Sequence, residues 1–206
     1  MSENATTAQP RTVATVDRGK LDIKALVLLA ILLAAGFILN MFVGKASSGA
    51  TGGMISPEFI ISAFCLTILV VRPNIGQALV IGLISAAVIQ ITTTSPFIDF
   101  AAEGVAAVVM TLIVKAGMKT PAKKIIPLVG AFVTTVLSGC IFMVIKMAMI
   151  GVVGELAAAM LPVVIATAVF NAILCQALYM PIKKALKVED WASLNLSKGY
   201  QVSKSN

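Results

Sequence analysis

Long runs of apolar residues, separated by short polar turns, constrain this chain more than any other feature of its sequence. The first run, Ala25–Val43, is long enough to cross a bilayer, because a transmembrane helix needs about 20 predominantly apolar residues. Five more runs follow it, at Glu58–Val71, Ile75–Ile91, Phe97–Val114, Ile125–Ile150 and Leu156–Ile182. The pattern predicts an all-α, polytopic membrane protein with six transmembrane helices.

The distribution of charge predicts one membrane domain with short tails. Only 12% of the 206 residues are charged, whereas soluble domains average about 25%. Nearly all of these charges lie outside the apolar runs. Because the runs themselves take up most of the chain, no segment remains that is long enough for a second, soluble catalytic domain. We therefore expect an N-terminal tail over residues 1–23, a membrane domain over 24–187 and a C-terminal tail over 188–206.

The basic residues predict the orientation of the chain. With six spans, the N-terminal tail, the turn at Arg72, the loop Lys115–Lys124 and the C-terminal tail share one side. That side holds every Lys and Arg except Lys45 and Lys146. Cytoplasmic loops carry an excess of Lys and Arg, so both termini are predicted to be cytoplasmic and the protein to be a multi-pass protein of the cell membrane.

The formal net charge of +7 points to lipid rather than to nucleic acid. Lys and Arg cluster at the ends of apolar runs, where they suit anionic lipid headgroups. Nucleic-acid binding would call for a basic soluble face with stacking aromatic residues. We expect membrane lipid as a partner and no nucleic acid.

A polar turn followed by two carboxylates marks the predicted functional site. Asp99 and Glu103 are four residues apart, so on a helix they share one face. The hydroxyls of Thr92–Ser95 are suited to cap orphan amides, and Pro96 stands where a helix would begin. An ionisable group within an apolar span is costly and marks a functional site by default.

Other polar residues fall at a similar depth in this topology and complete a predicted substrate pocket. It opens outward under a mobile Gly-rich lid, Gly44–Pro57, with Phe59, Phe97 or Phe100 for any stacking. Its chemistry suits a small zwitterion or amine, in which Lys146 holds a carboxylate and Glu103 or Asp99 holds an ammonium group. The predicted substrate-binding residues are Asn40, Glu58, Gln90, Asp99, Glu103, Lys146 and Asn171.

Each of these residues also has a structural interpretation. Glu58 and Asp99 lie near the ends of their runs, where charge is tolerated at the headgroups. Glu103 and Lys146 could pair only with each other to fix helix packing. Asn171 could hydrogen-bond between helices, as polar residues in membrane bundles commonly do.

The residue inventory argues against an enzyme. The chain has no histidine, which removes the usual zinc sites and every Ser-His or Cys-His arrangement. Cys65, Cys140 and Cys175 lie within apolar runs without metal-type spacing. We expect no metal and no cofactor. A membrane hydrolase using the carboxylates ranks low, because no nucleophile setting is recognisable.

Small residues on the first run carry a family resemblance. Ala30 and Ala34 are four apart, a spacing that allows another helix to approach closely in lipid. Together with Ala34-Ala35-Gly36, Gly53–Phe59 and Thr92–Pro96, they make the chain resemble the substrate-binding S components of energy-coupling factor (ECF) transporters. Within that group it is most similar to the tryptophan-transporter type.

The resemblance implies a substrate-capture subunit of an ATP-driven importer, binding a small nutrient such as tryptophan or a vitamin-like compound. It implies docking through Ala30 and Ala34 onto a transmembrane scaffold subunit driven by two cytoplasmic ATPase subunits. The chain itself lacks the phosphate-binding motif G-x-x-x-x-G-K-[ST]. The alternative is a stand-alone secondary transporter of a small amine or amino acid, which would couple Asp99 or Glu103 to protons or sodium.

Overall fold

The computed structural model describes residues 23–50, 58–93, 95, 97–151 and 154–186. Within these ranges all regular structure is helical, as the sequence predicts. The elements are α1 (Ile23–Leu39), a π-helix (Asn40–Gly44), α2 (Lys45–Ala50), α3 (Phe59–Val71), α4 (Ile75–Ile89), α5 (Ile98–Gly117), a 3₁₀-helix (Pro121–Lys124), α6 (Ile126–Ile150) and α7 (Gly154–Ala185). The predicted tails, including Trp191, and the stretch Gly53–Pro57 lie almost wholly outside the described residues.

Four of the helical stretches are long and apolar enough to cross a membrane. They are Ile23–Gly44, Ile98–Gly117, Ile126–Ile150 and Gly154–Ala185. The two remaining apolar helices, α3 and α4, are shorter, at 13 and 15 residues. The outward faces of the bundle carry large apolar side chains, as shown on α1 by Val27, Ile31 and Ile38, which are 51%, 61% and 56% exposed.

Helix α3 lies at the centre of the bundle. All of its residues except the last, Val71, are buried, and it packs against α1, α4, α5, α6 and α7. A helix that is apolar on every side is expected to be buried on every side, and FIISAFCLTILVV is such a sequence. At 1.5 Å per residue it is only about 20 Å long, so its two ends are covered by the longer helices around it.

Short turns connect the central helices. Arg72 ends α3 in a left-handed conformation, and its amide donates to the carbonyl of Ile68. Asn74 then caps α4: its side chain accepts from the Gln77 amide at 2.9 Å, and the Gln77 side chain accepts from the Asn74 amide at 3.0 Å. This reciprocal capping box satisfies two orphan amides at once. The tight turn expected at Arg72–Asn74 is therefore present.

The predicted lid Gly44–Pro57 is wrong over its first half. The chain stays helical from α1 through the π-helix and α2 to Ala50, and residues 51–57 lie outside the described part. Helix propagation is cooperative, so a helix already formed extends cheaply through residues such as Ala46 and Ala50. The Gly and Ser content of this stretch favours a loop, but the preceding helix continues through it to Ala50.

The start of α5 also differs from the expectation. The helix begins at Ile98, its preceding residue Phe97 has a left-handed φ of 71°, and no side chain caps it. Instead, the Ser95 amide donates to Thr93 Oγ1 at 3.3 Å, within the turn. Thr94 and Pro96 lie outside the described residues.

Helix α1 divides its two faces between the bundle and its exterior. Leu29 and Leu33 are buried, whereas Ala30 and Ala34 are exposed. Farther along, Gly36 faces α3, and a Cβ there would lie 3.1 Å from the Phe59 carbonyl oxygen. Ala30 and Ala34, unlike Gly36, therefore do not pack inside the described part of the bundle.

Candidate functional site

A cavity of about 320 Å³ lies among the helices, at the lower end of the range of roughly 300–1,000 Å³ for small-molecule sites. It is lined from the π-helix, the segment before α3, the α4–α5 turn, and α3 to α7. The lining residues are Asn40, Gly44, Lys45, Glu58, Ile61, Ile89, Thr92, Thr93, Asp99, Glu103, Thr135, Ser138, Gly139, Phe142, Met160, Val163, Val164 and Thr167.

Three carboxylates, those of Glu58, Asp99 and Glu103, belong to this lining. Asp99 is 6% exposed and Glu103 is 2% exposed, as expected of two residues four apart on the inward face of α5. Glu103 Oε1 accepts a hydrogen bond from Ser138 Oγ at 2.8 Å. Its other oxygen, Oε2, is buried and has no hydrogen-bond partner among the described residues.

Gln90 positions Asp99 from outside the lining. Its Nε2 donates to Asp99 Oδ2 at 3.2 Å, and its Oε1 accepts from the Phe97 amide at 3.0 Å. One side chain therefore ties the end of α4 to the start of α5. We interpret Gln90 as a residue that orients Asp99.

The π-helix contributes another part of the lining. The Lys45 amide donates to the carbonyl of Asn40, a bond between residues five apart rather than four. Residues five apart therefore share a face in this turn, and Asn40 and Lys45 both line the cavity. Single π-helical turns occur frequently at functional sites.

The seven sequence-predicted residues separate into two groups. Asn40, Glu58, Asp99 and Glu103 line the cavity, whereas Gln90, Lys146 and Asn171 do not. Lys146 lies beside the lining, with its Nζ 5.4 Å from the centroid of the Phe142 ring, and no ion pair with Glu103 is found in the described structure. A lysine above an aromatic face is stabilised by the ring quadrupole.

Asn171 links three helices beneath the cavity. It is fully buried; its Oδ1 accepts from Ser62 Oγ at 3.0 Å, and its Nδ2 donates to Thr135 Oγ1 at 3.3 Å. Thr135 in turn belongs to the lining. This geometry is that of a hydrogen-bonding residue between α3, α6 and α7.

We expect Asn171→Ala to destabilise the protein by roughly 1–2 kcal/mol, because it leaves two buried hydroxyls without their partner. Unfolding of the purified protein in detergent, followed by helical circular dichroism, measures this. The control is Ile173→Ala, because Ile173 lies on the same helix as Asn171 and is 60% exposed. A variant as stable as the parent would contradict the structural role.

Sequence reasoning missed several lining residues. Lys45 was missed because it lies in Gly44–Pro57, which was predicted to be a lid rather than part of the site. Thr135 and Ser138 were missed because single hydroxyl residues within an apolar run give no specific signal of function. The aromatic expectation is wrong in its residues, because Phe142 lines the cavity and the three expected phenylalanines do not. Phe59 instead packs edge-to-face on Phe170, with centroids 5.6 Å apart, and Phe97 stacks on Phe100 at 6.5 Å.

Comparisons of the chain with protein-family models, with curated proteins and with solved structures find no match. The chemistry of the cavity therefore has to be interpreted from its own residues. Those residues combine acidic, hydroxyl and apolar side chains around a space large enough for a small molecule.

Proposed function

We propose that this protein is the substrate-capture component of an ECF-type, ATP-driven importer in the cell membrane. In this proposal the chain crosses the membrane six times, with α3 and α4 as the short spans and both termini in the cytoplasm. The cavity is the outward-facing binding site for a small nutrient. A transmembrane scaffold subunit and two cytoplasmic ATPase subunits are the partners.

The observation that carries the proposal is a polar cavity built inside an otherwise apolar helical bundle. Buried ionisable residues are expensive in such surroundings, and they mark substrate or ion pathways in membrane proteins. Here Asp99 and Glu103 line a cavity of ligand size, and Lys146 attracts Asp99 without forming a direct ion pair with it in the described structure. Ala30 and Ala34, which are exposed on α1, also support the proposal. Small residues on an exposed helix face permit close approach of a partner helix.

The alternative is a secondary transporter that couples uptake to protons or sodium. The same carboxylates favour it, because acidic residues inside a membrane bundle commonly serve proton and ion relays. The two proposals differ in their energy source. A capture subunit binds its ligand without an ion gradient and transports only with its ATPase partners.

The test starts with the purified full-length protein in detergent, screened by thermal unfolding against the amino acids and the water-soluble vitamins. A ligand at 100 times its Kd stabilises the folded state by about 2.7 kcal/mol, which is easily detected. Any hit is then tested for uptake into proteoliposomes that contain this protein alone or with ECF scaffold and ATPase subunits.

We expect binding without a gradient and uptake only when the partners and ATP are present. Uptake by the protein alone, driven by a sodium or proton gradient, would refute the proposal in favour of the secondary transporter. Proteoliposomes with ATPase subunits but without ATP are the control for leakage.

A further inference from the structure

We propose that the cavity selects a small organic cation, a molecule whose ammonium group is not balanced by a carboxylate of its own. This inference rests on the proposed substrate-capture function and narrows its substrate class. Four observations carry it: the charge of the lining, the buried state of Glu103, the arrangement of the carboxylates and the scarcity of aromatic side chains.

The ionisable groups of the lining are predominantly acidic. Among the described lining residues there are three carboxylates and one lysine, Lys45, so these groups carry a net charge of −2 when ionised. Lys45 is also the most exposed of these four residues, and solvent screens its charge more than it screens the buried carboxylates. Lys146, which lies outside the lining, attracts Asp99 and reduces the net charge around the cavity to −1. A zwitterion would leave this imbalance uncorrected, whereas a cation reduces it.

Glu103 provides the strongest single point of attachment. It is 2% exposed, and Ser138 satisfies only one of its two oxygens. A buried carboxylate oxygen without a hydrogen-bond partner is costly. A substrate ammonium group brings three hydrogen-bond donors and a positive charge, so it removes this cost on binding. Such charge-assisted bonds are about twice as strong as neutral ones.

The carboxylates do not form a metal site. Within the described ranges, no group of three or more acidic, cysteine or histidine side chains is arranged to hold a metal ion. Glu58, Asp99 and Glu103 instead line one cavity of about 320 Å³ from different positions. Acidic groups that are spread around a space of ligand size suit an extended organic cation better than a bare ion.

Aromatic recognition is weak in this cavity. Among the lining residues that the structure describes, only Phe142 is aromatic, and the Lys146 Nζ lies 5.4 Å from the centroid of its ring. Flat heterocycles are commonly held by stacking on aromatic faces. A single ring that already has a lysine beside it offers little surface for such stacking. The charge of the ligand therefore has to supply more of its specificity than its ring system does.

The experiment compares ligands that differ only in charge. The first triad is tryptamine, tryptophan and indole-3-propionate; the second is phenethylamine, phenylalanine and 3-phenylpropionate; the third is pentylamine, norleucine and hexanoate. Each triad presents a cation, a zwitterion and an anion on a similar apolar body. Binding to the full-length protein is measured by thermal stabilisation and by calorimetry at pH 7, with sodium chloride against potassium chloride as a separate arm.

We expect the cation to be the tightest binder in at least one triad. Glu103→Gln should lower the affinity for that cation at least about 30-fold, because removing one member of a buried charge pair leaves the other member unpaired. Asp99→Asn is the second variant and should weaken the same ligand. Glu155→Gln is the matched control, because Glu155 is exposed at the start of α7 and lies outside the lining. It should bind as the parent does.

Each other outcome overturns the inference. If a zwitterion or an anion binds best, substrate capture stands but the cationic class does not. If no cation binds at millimolar concentration, or if Glu103→Gln leaves cation binding unchanged, the assignment fails. Stabilisation by sodium alone, lost in Glu103→Gln, would replace the organic cation with an ion and favour the secondary transporter. ATP-dependent uptake tests the proposed function separately.

Discussion

Gly82→Ala is expected to destabilise the protein by roughly 1–3 kcal/mol, the usual cost of overpacking a tight interface. A Cβ at Gly82 would lie 2.6 Å from the carbonyl oxygen of Glu103 and 2.8 Å from Ala107 Cβ. Neither group can rotate away, because one is helix backbone and the other is the first side-chain carbon. Helices α4 and α5 would have to separate to admit one methyl group.

The displacement also reaches the cavity. Because the closest contact is made by the backbone of Glu103, moving α5 moves the carboxylate that accepts from Ser138 at 2.8 Å. We therefore expect Gly82→Ala to weaken ligand binding as well as stability. Both are measured on the purified protein, by thermal unfolding with and without the best ligand of the screen.

Gly104→Ala is the matched control at the same interface. Its Cβ would meet only the ends of two leucine side chains, with Leu79 Cδ1 nearest at 3.2 Å. Those ends can shift, and alanine favours helix over glycine by up to about 1 kcal/mol. A Gly104→Ala variant as unstable as Gly82→Ala, or a Gly82→Ala variant as stable as the parent, would contradict the close backbone contact.

The placement of Asp99 and Glu103 could be predicted from the sequence because it depends on helical geometry alone. Two carboxylates four apart in an apolar run share a face, and the cost of exposing them to apolar surroundings directs that face inward. The all-helical fold was predictable for a similar reason. Apolar runs of this length have few other ways to satisfy their backbone.

The part of the lining that comes from the π-helix could not be predicted, because it depends on a local change in helix period. A stretch of regular α-helix places residues four apart on one face, but the π-helix brings Asn40 and Lys45 together at a spacing of five. No residue type in NMFVG signals that change, and Lys45 lies in a stretch whose composition is typical of a loop.

The roles of Gln90 and Asn171 show a second limit of sequence reasoning. Both are amides in apolar runs, and both were predicted to contact the substrate. The structure places each just outside the lining, where Gln90 bonds Asp99 and Asn171 bonds Ser62 and Thr135. Depth along a helix can be estimated from sequence, but the direction of a side chain around that helix depends on neighbours that are distant in the chain.

Under the proposed substrate-capture function, the double variant Ala30→Leu, Ala34→Leu is expected to abolish ATP-driven uptake while leaving ligand binding unchanged. Both alanines are exposed on α1 and lie outside the lining of the cavity. The substitutions should therefore leave the packing of the bundle and the shape of the cavity unchanged. If this face is the contact with the scaffold subunit, two leucines prevent close approach of the partner helix. Overpacking costs roughly 1–3 kcal/mol at each site, which lowers affinity for the partner at least about tenfold.

The measurement is co-purification of the scaffold and ATPase subunits with each variant, followed by uptake in proteoliposomes. The control, Ala87→Leu with Ala101→Leu, adds the same bulk to exposed positions on α4 and α5 and should assemble normally. Normal assembly and uptake by the Ala30/Ala34 variant would exclude this face as the docking surface, because no close helix contact tolerates two added leucines at its centre. Loss of ligand binding in the same variant would instead show that α1 supports the cavity, and the face would then have a structural role.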